Sequence, residues 1–395
     1  MKNYFPSSTK FLSVIFSLAT ATLLAQNQQN LHMDETIRVL GTTPPVPVAL
    51  TGFSGEAEEV LKFDLYVQGY SFVSPDQAQY LINGSDNGSV VGSVTDKFAR
   101  KVILSRSYNG ASLRRQAHAF ADDIVQATAQ LKAIGGTKIA FKAQGNGGAG
   151  EIFVADFDGY NPKQVTSDGA IVARPAWMPQ RMALYYTSYA RDNPDIYFHN
   201  LGTGQRRVVA GYSGLNTGAA VSPDGSRVAM VLSKSGSPNV WVANADGTGL
   251  RKLTSGVEDS SPCWSPDGQW ICFATKFHER RRLAKIPANG GEVQYLNTSG
   301  AGNPTEPDWS PDGKWIAFTR QAGDFDICVM PTDGSNPPVI LVAGQNPSWS
   351  PNSRTLVFNH GSAGHQTLSV LDVFTKQYKD CHRAPGSDSQ PAWAR

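Results

Sequence analysis

From about residue 136 onward, apolar residues fall in short runs separated by turn-forming residues. Lys138-Ile-Ala-Phe, Asn239-Val-Trp-Val-Ala, Trp270-Ile-Cys-Phe-Ala, Trp315-Ile-Ala-Phe-Thr and Asp326-Ile-Cys-Val-Met are examples. Runs of that length, bounded by Gly, Pro, Asn and Asp, read as β-strands. The punctuation repeats: Val221-Ser-Pro-Asp-Gly, Trp264-Ser-Pro-Asp-Gly, Trp309-Ser-Pro-Asp-Gly and Trp349-Ser-Pro-Asn-Ser, with a weaker Trp177-Met-Pro-Gln-Arg and a terminal Pro391-Ala-Trp393. Counted from residue 177, successive copies start 44, 43, 45, 40 and 44 residues apart. A period near that length marks a β-propeller blade.

Each copy supplies the four strands a blade needs. Ser-Pro-Asp-Gly places Pro at the second and Gly at the fourth position of a type I turn, joining a first strand that ends in Trp to an apolar second strand. A third strand closes on an Asp-Gly turn such as Asn244-Ala-Asp-Gly247, and a fourth follows, as in Leu250-Arg-Lys-Leu-Thr254. Second strands are expected near 138–143, 182–188, 227–233, 270–275, 314–320 and 354–359, six in all. The unit at 138–166 has no first strand of its own, and Pro391-Ala-Trp393 is expected to supply it and so remove the open edge of the ring. The recurrent Trp264, Trp309, Trp349 and Trp393 are read as packing between neighbouring blades.

Residues 26–135 do not repeat and read as a smaller α/β domain ahead of a propeller over 136–395. Strands are expected at Ile37-Arg-Val-Leu, Pro47-Val-Ala-Leu, Ser89 to Val94 and Ala99 to Ser107, with a helix from Glu56 to Val67. Leu113, Ala117, Phe120, Ile124, Ala127 and Leu131 step at three and four, which predicts an amphipathic helix over 112–132. On it His118 and Asp122 share a face, but one His and one carboxylate are too few ligands for a metal. They are assigned a structural role at the domain junction, and neither a metal nor a cofactor is expected.

The first 25 residues read as a secretory signal: Lys2 and Lys10, then an apolar run from Phe11 to Ala25 that is too short to span a bilayer. Cleavage after Ala25 or Ala21 fits small-residue recognition, and no cysteine stands there to take a lipid. The formal charge of +2 contains those two lysines and no acid of the leader, so +2 minus 2 leaves a mature chain near zero. That balance leaves no nucleic-acid footprint. The densest basic run, Arg280-Arg281-Arg282, is expected in a loop, as an ordinary solvated face or a contact for anionic headgroups. Cys263 and Cys272 flank the turn of one blade and could stand opposite each other. A disulfide is then open to them in an oxidising compartment, although two buried thiols are favoured because other copies carry Ala176, Ala220, Ala229 and Ala317 there.

Taken together, the segment from Leu113 to Ile124 running on through Gly135-Gly-Thr-Lys-Ile-Ala-Phe141, with Pro47-Val-Ala-Leu-Thr-Gly-Phe-Ser and Asp64-Leu-Tyr-Val-Gln-Gly-Tyr-Ser-Phe, resembles the TolB family of the periplasmic Tol–Pal cell-envelope system. The resemblance covers nearly the whole mature chain. It implies a soluble, exported, non-enzymatic scaffold linked to envelope integrity and cell division, touching membranes only indirectly. The propeller would bind an outer-membrane peptidoglycan-associated lipoprotein, and the N-terminal region inner-membrane Tol proteins. Where the family often has His-Asn-Gly ahead of the third blade, this chain has Leu215-Asn216-Thr217-Gly218, and its segment between Phe72 and Gly92 looks shorter.

Gly-x-Ser-x-Gly, His-Glu-x-x-His and phosphate-loop motifs are all missing from the sequence, so no enzymatic function is expected. The alternative is an exported propeller that binds a glycan or small ligand in its central channel. In a four-stranded meander, the first-to-second and third-to-fourth turns lie at one end of the ring and the remaining connections at the other. Varied loops over a rigid scaffold carry binding residues. The loops Ser213 to Gly218, Gly256 to Ser261, Gly300 to Glu306 and 280–282 therefore nominate a channel mouth made by Asn216, Thr217, Gly218, Glu258, Asp259, Ser260, Thr305 and Glu306.

Overall fold

The computed structural model describes residues 39–144, 149–362, 364–382 and 386–395. The expected leader at 1–25, and Ile37 and Arg38 of the first expected strand, lie outside the described residues. The chain is mainly β: six four-stranded antiparallel sheets arranged as a propeller, with a smaller domain of one five-stranded sheet and two helices ahead of them.

In the propeller, the innermost strands of blades 2 to 6 are Val172–Trp177, Asn216–Val221, Ser260–Trp264, Asn303–Trp309 and Gln345–Trp349. Blade 1 takes its inner strand from the far end of the chain, Ser387–Trp393, which pairs antiparallel with Lys138–Gln144. Sealing the ring this way covers two strand edges that would otherwise be exposed. In blades 3 to 6 the turn after the inner strand is held by its own side chains. In blade 4 the Ser265 hydroxyl bonds Asp267 and receives the Trp270 amide at 2.9 Å, and the Gly268 amide donates to the Ser265 carbonyl at 2.9 Å. Gly268 has φ +68, a conformation that a side chain would strain.

The inner-strand tryptophans lock neighbouring blades. Trp177, Trp264 and Trp349 donate their indole N–H to the carbonyls of Ala392, Ala220 and Asp308 at 3.0, 2.9 and 3.1 Å. The three acceptors occupy one position on the preceding inner strand, one residue before its last, so one contact is repeated around the ring. Trp309 instead donates to Gly313 in its own turn at 3.2 Å.

In the smaller domain the strand order is Tyr70–Phe72, Val46–Thr51, Tyr80–Ser85, Val90–Asp96 and Lys101–Tyr108, parallel on both sides of Val46–Thr51 and antiparallel beyond. Helices Gly55–Tyr66 and Leu113–Ala129 cover one face, burying Leu61, Leu65, Phe120 and Ile124 against Val48, Ile82 and Val94. The strands Tyr70–Phe72 and Tyr80–Ser85 were not expected from the pattern. Val39 and Leu40 are not in a strand; Leu40 is buried with Val373 and Phe374 of blade 6.

The smaller domain rests on the turn end of blades 1 and 6. Gln68 faces Asn352 of the blade 6 turn at 3.4 Å, Gln377 donates to the Tyr70 carbonyl at 3.1 Å, and Val67 and Ile134 share a buried cluster with Phe157 and Trp393. The opposite end of the ring carries the remaining connections.

Candidate functional site

Six residues at one repeat position project around the propeller axis. Arg174, Gly218, Ser261, Glu306, Asn346 and Gln390 all have left-handed backbones, with φ of 53, 63, 52, 54, 55 and 53. At each the ladder between first and second strand slips by a residue, leaving a bulge. Five of the six are not glycine, so the conformation carries strain. Proline follows at 175, 262, 307, 347 and 391, and Ala219 in blade 3. Strain repeated at a cavity wall, where the surrounding sheet holds it, is the usual mark of a position kept for function.

The ring is knitted into a polar waist. The Arg174 guanidinium, from blade 2, reaches Ser261 Oγ of blade 4 at 2.9 Å and lies 4.0 Å from Glu306 of blade 5. Gln390 Oε1 accepts the Arg174 amide at 2.9 Å. Glu306 Oε2 accepts from Thr319 Oγ1 at 2.8 Å and from the Asn346 amide at 3.1 Å. On the turn side of the waist lies a cavity of about 440 Å³, walled by Pro179, Pro223, Pro266 and Pro311 of the turns and by Trp177, Trp264, Trp309 and Trp393. On the same wall, Asp308 is salt-bridged to Arg395, whose guanidinium also donates to the Trp309 and Trp349 carbonyls at 3.0 and 3.1 Å. Burial raises the Asp308 carboxyl above the usual range, and Arg395 pulls against that shift.

The residues nominated from sequence divide into three groups. Gly218 and Glu306 belong to the waist, and Thr217 and Thr305 precede them on the loop side, with Thr217 hydroxyl-bonded to Thr187 at 3.0 Å. Glu258 is half-buried and salt-bridged to Arg281; Ser260 is also half-buried and its hydroxyl has no partner. Asn216 and Asp259 are 0% and 1% exposed. Asn216 donates to the carbonyls of Pro194, Tyr212 and Gly214, and Asp259 accepts from Asn239, Thr254 and Thr275. Both brace the chain entering an inner strand and present nothing to solvent.

Several segments taken as loops are strand. Inner strands already begin at Asn216, Ser260 and Asn303. The arginine run opens the strand Arg280–Pro287, because the turn before it is only His278 and Glu279, both left-handed (φ 46 and 63), with Phe277 opposite Arg280. Two consecutive positive-φ residues make the tight hairpin that matches strand twist. Arg174, Ser261, Asn346 and Gln390 were missed. Their signal was a proline two residues before the tryptophan, as in Arg174-Pro-Ala-Trp, Ser261-Pro-Cys-Trp and Asn346-Pro-Ser-Trp.

The junction between the domains holds a second buried polar cluster. His118 Nδ1 lies 2.7 Å from Asp64, and its Nε2 is 3.4 Å from Asp158 of blade 1, which is also salt-bridged to Arg114. Burial raises the Asp64 carboxyl, opposed by His118 and Arg114. Asp122 accepts the amides of Ile134 and Gly135 at 2.9 and 3.0 Å, and burial pushes its pKa up to about 6 against those bonds. Among the described residues no group of three His, Cys, Asp or Glu is placed to hold a metal.

One Ser, His and Asp group stands together in blade 6, without triad geometry. His360 Nε2 faces both Ser369 Oγ at 2.9 Å and Asp380 at 3.0 Å, and Ser369 donates to Asp380 at 2.7 Å. A triad needs the carboxylate on the ring nitrogen remote from the serine and an accessible nucleophile. Here both partners share one nitrogen, and Ser369 is fully buried.

Residues 126–395 match the family model described as the TolB beta propeller domain. Among curated proteins, the chain is 29% identical over 261 residues to a Tol-Pal system protein TolB of Anaeromyxobacter dehalogenans strain 2CP-C, covering 56% of this chain and 60% of that protein. It is 35% identical over 157 residues to the protein of the same name from Anaeromyxobacter sp. strain K, covering 40% and 36%. The chain thus spans less than two thirds of the length of these relatives. Among solved structures, TolB from Acinetobacter baumannii superposes with a TM-score of 0.80 at 22% identity, covering 90% of this chain and 98% of that one. A likeness at that identity speaks to the fold.

Proposed function

Because the chain belongs to the TolB β-propeller domain family, we propose that it is a non-enzymatic scaffold of the Tol–Pal envelope system, working in the periplasm. Its propeller binds an outer-membrane peptidoglycan-associated lipoprotein at the loop end, and its N-terminal region binds inner-membrane Tol proteins. The observation that carries this reading is the division of labour between the ends of the ring. The smaller domain occupies the turn end at blades 1 and 6, through Gln68, Tyr70 and Val67. Among the described residues nothing covers the loop end, where Thr217, Glu258, Ser260, Thr305 and Arg281 lie around the polar waist. A scaffold joining two envelope layers needs two such separate surfaces. The names of its curated relatives place those proteins in the Tol-Pal system.

A second reading has one observation in its favour: the cavity of about 440 Å³ on the turn side has the size and aromatic walls of a small-ligand pocket. A glycan or small ligand would sit between its tryptophans and prolines. Immobilised full-length chain, challenged separately with peptidoglycan-associated lipoprotein and with soluble cell-wall fragments, separates the two. Saturable retention of the lipoprotein with no uptake of the fragments supports the scaffold; the reverse pattern replaces it with the channel binder.

A further inference from the structure

Blade 4 carries two thiols at a single cross-strand position. Cys263 and Cys272 are register partners. The corresponding pairs in the other blades are Ala176 with Tyr185, Ala220 with Ala229, Asp308 with Ala317, Ser348 with Val357 and Ala392 with Ala140. The Ser265 amide donates to the Trp270 carbonyl at 2.9 Å, which makes Ser265 and Trp270 a hydrogen-bonded pair. Antiparallel pairs alternate, so Cys263 and Cys272, two steps further in, form another. Such pairs have Cα atoms about 5.5 Å apart, inside the roughly 4.4 to 6.8 Å that a disulfide spans, and Cβ atoms at the wide end of the roughly 4.5 to 5.5 Å cross-strand range, so closing the bond draws the two strands of the hairpin together to the roughly 3.5 to 4.5 Å between Cβ atoms that it requires. Both side chains lie on the same side of the sheet, in one cluster with Trp309, Phe318 and Met330 of blade 5, whereas Trp264 and Ile271 pack toward blade 3.

We propose that Cys263 and Cys272 are a disulfide-forming pair, closed as blade 4 folds in an oxidising compartment. The compartment rests on the exported reading above; the pairing rests on register alone. The chemistry needs an external disulfide, that of a thiol–disulfide oxidoreductase or of glutathione. The thiolate of one cysteine attacks a sulfur of the oxidant and expels one of its thiols, giving a mixed disulfide. The second cysteine attacks the protein sulfur of that bond, forms the Cys263–Cys272 bond and expels the other thiol. The pair loses two protons and two electrons, and the oxidant gains them. In the finished fold both sulfurs are buried, and burial holds the Cys263 thiol well above its ordinary pKa. Attack therefore belongs to the stage before blade 5 covers the hairpin. Once formed, the bond clips the Ser-Pro-Asp-Gly hairpin whose Cys263 also walls the channel cavity. Cys328 lies in the same cluster but on blade 5, and Cys381 is elsewhere, its thiol donating to the Phe157 carbonyl at 3.7 Å.

The test is refolding of the reduced, full-length chain in a mixture of reduced and oxidised glutathione, followed by alkylation and cleavage before aspartate. Cutting before Asp259 and Asp267 separates the two cysteines. A peptide containing Cys263 that stays linked to the one containing Cys272 until reduction supports the pairing. Both cysteines alkylated, or Cys272 linked to Cys328, overturns it. In Cys328→Ala/Cys381→Ala, which keeps the pair, added reductant should lower the melting temperature; no shift in a chain confirmed as oxidised also counts against a clip. Alkylation of the chain as it leaves cells isolates the compartment: a pair that oxidises in glutathione but is free in cells contradicts export and leaves the pairing supported.

Discussion

Replacing Trp393 by Ala attacks the seam of the ring at the point where three parts of the fold meet. The indole is 3% exposed, stacks on Phe157 with ring centroids 5.8 Å apart, and donates to Thr137 Oγ1 at 2.8 Å. Its buried neighbours include Val67 and Ile134 from the N-terminal side, and Val357 and Val370 of blade 6. Truncating a buried aromatic to Ala costs about 3 to 5 kcal/mol in transfer and cavity terms, and the lost hydrogen bond adds about 1 kcal/mol. The sum, about 4 to 6 kcal/mol, lowers the melting temperature by roughly 8 to 24 °C at about 2 to 4 °C per kcal/mol. Urea and thermal unfolding followed by far-ultraviolet circular dichroism measure it without relying on tryptophan emission. Tyr295→Ala, an exposed change on an outer strand, serves as the control and should move stability by less than about 0.5 kcal/mol. Deleting residues 391–395 should do more damage than the single change, because it also removes the part of the inner strand that pairs with Ile139 and Ala140 and the Arg395 salt bridge to Asp308. A loss below about 1 kcal/mol for Trp393→Ala, or an unchanged melting temperature for the deletion, would refute closure through this strand.

Two further outcomes follow from buried polar groups. Asp122 has a folded pKa raised by burial to about 6, above an unfolded value of about 3.9. Its stabilising contribution is therefore fully present below about pH 3.9 and lost as pH rises through about 6; Asp122→Asn, which keeps an acceptor for Ile134 and Gly135, should flatten the stability profile in that window, as read by urea midpoints at stepped pH. Asp259→Ala leaves Asn239, Thr254 and Thr275 without their shared acceptor, so it should cost about 2 to 4 kcal/mol in urea unfolding, and an unchanged midpoint would show the site to be wetter than its burial implies.

The propeller was legible because its turns are chemically demanding: Ser-Pro-Asp-Gly leaves few alternatives, and its spacing counts the blades. The smaller domain was harder to read. Tyr70–Phe72 is only three residues long and Tyr80–Ser85 contains Asn83 and Gly84, so neither shows clean alternation. At the candidate site the error was to treat polar residues beside loops as surface. Asn216 and Asp259 stand two residues before left-handed positions, as buried Asp388 does before Gln390, so the repeat itself marked them as bracing. The waist was hidden for another reason. A left-handed Arg174 or Gln390 leaves no propensity signal, and only the proline after it hints that the strand bends. Cys263 and Cys272 opposite each other were readable by counting outward from Asp267 and Gly268.

Which end of the ring receives the lipoprotein is the claim on which the scaffold reading turns. Glu306, bonded to Thr319 and Asn346, and Asp267, bonded to Ser265, are unsuitable probes because changing them disturbs the strands themselves. Equilibrium titration of peptidoglycan-associated lipoprotein into the full-length chain should instead compare Glu258→Lys/Arg281→Glu, at the loop end, with Gln269→Glu/Lys314→Glu, at the turn end. The account predicts affinity weakened at least tenfold by the loop-end pair and unchanged by the turn-end pair, with melting temperatures alike. Binding lost only in the turn-end pair, or no binding to the unaltered chain, would contradict it.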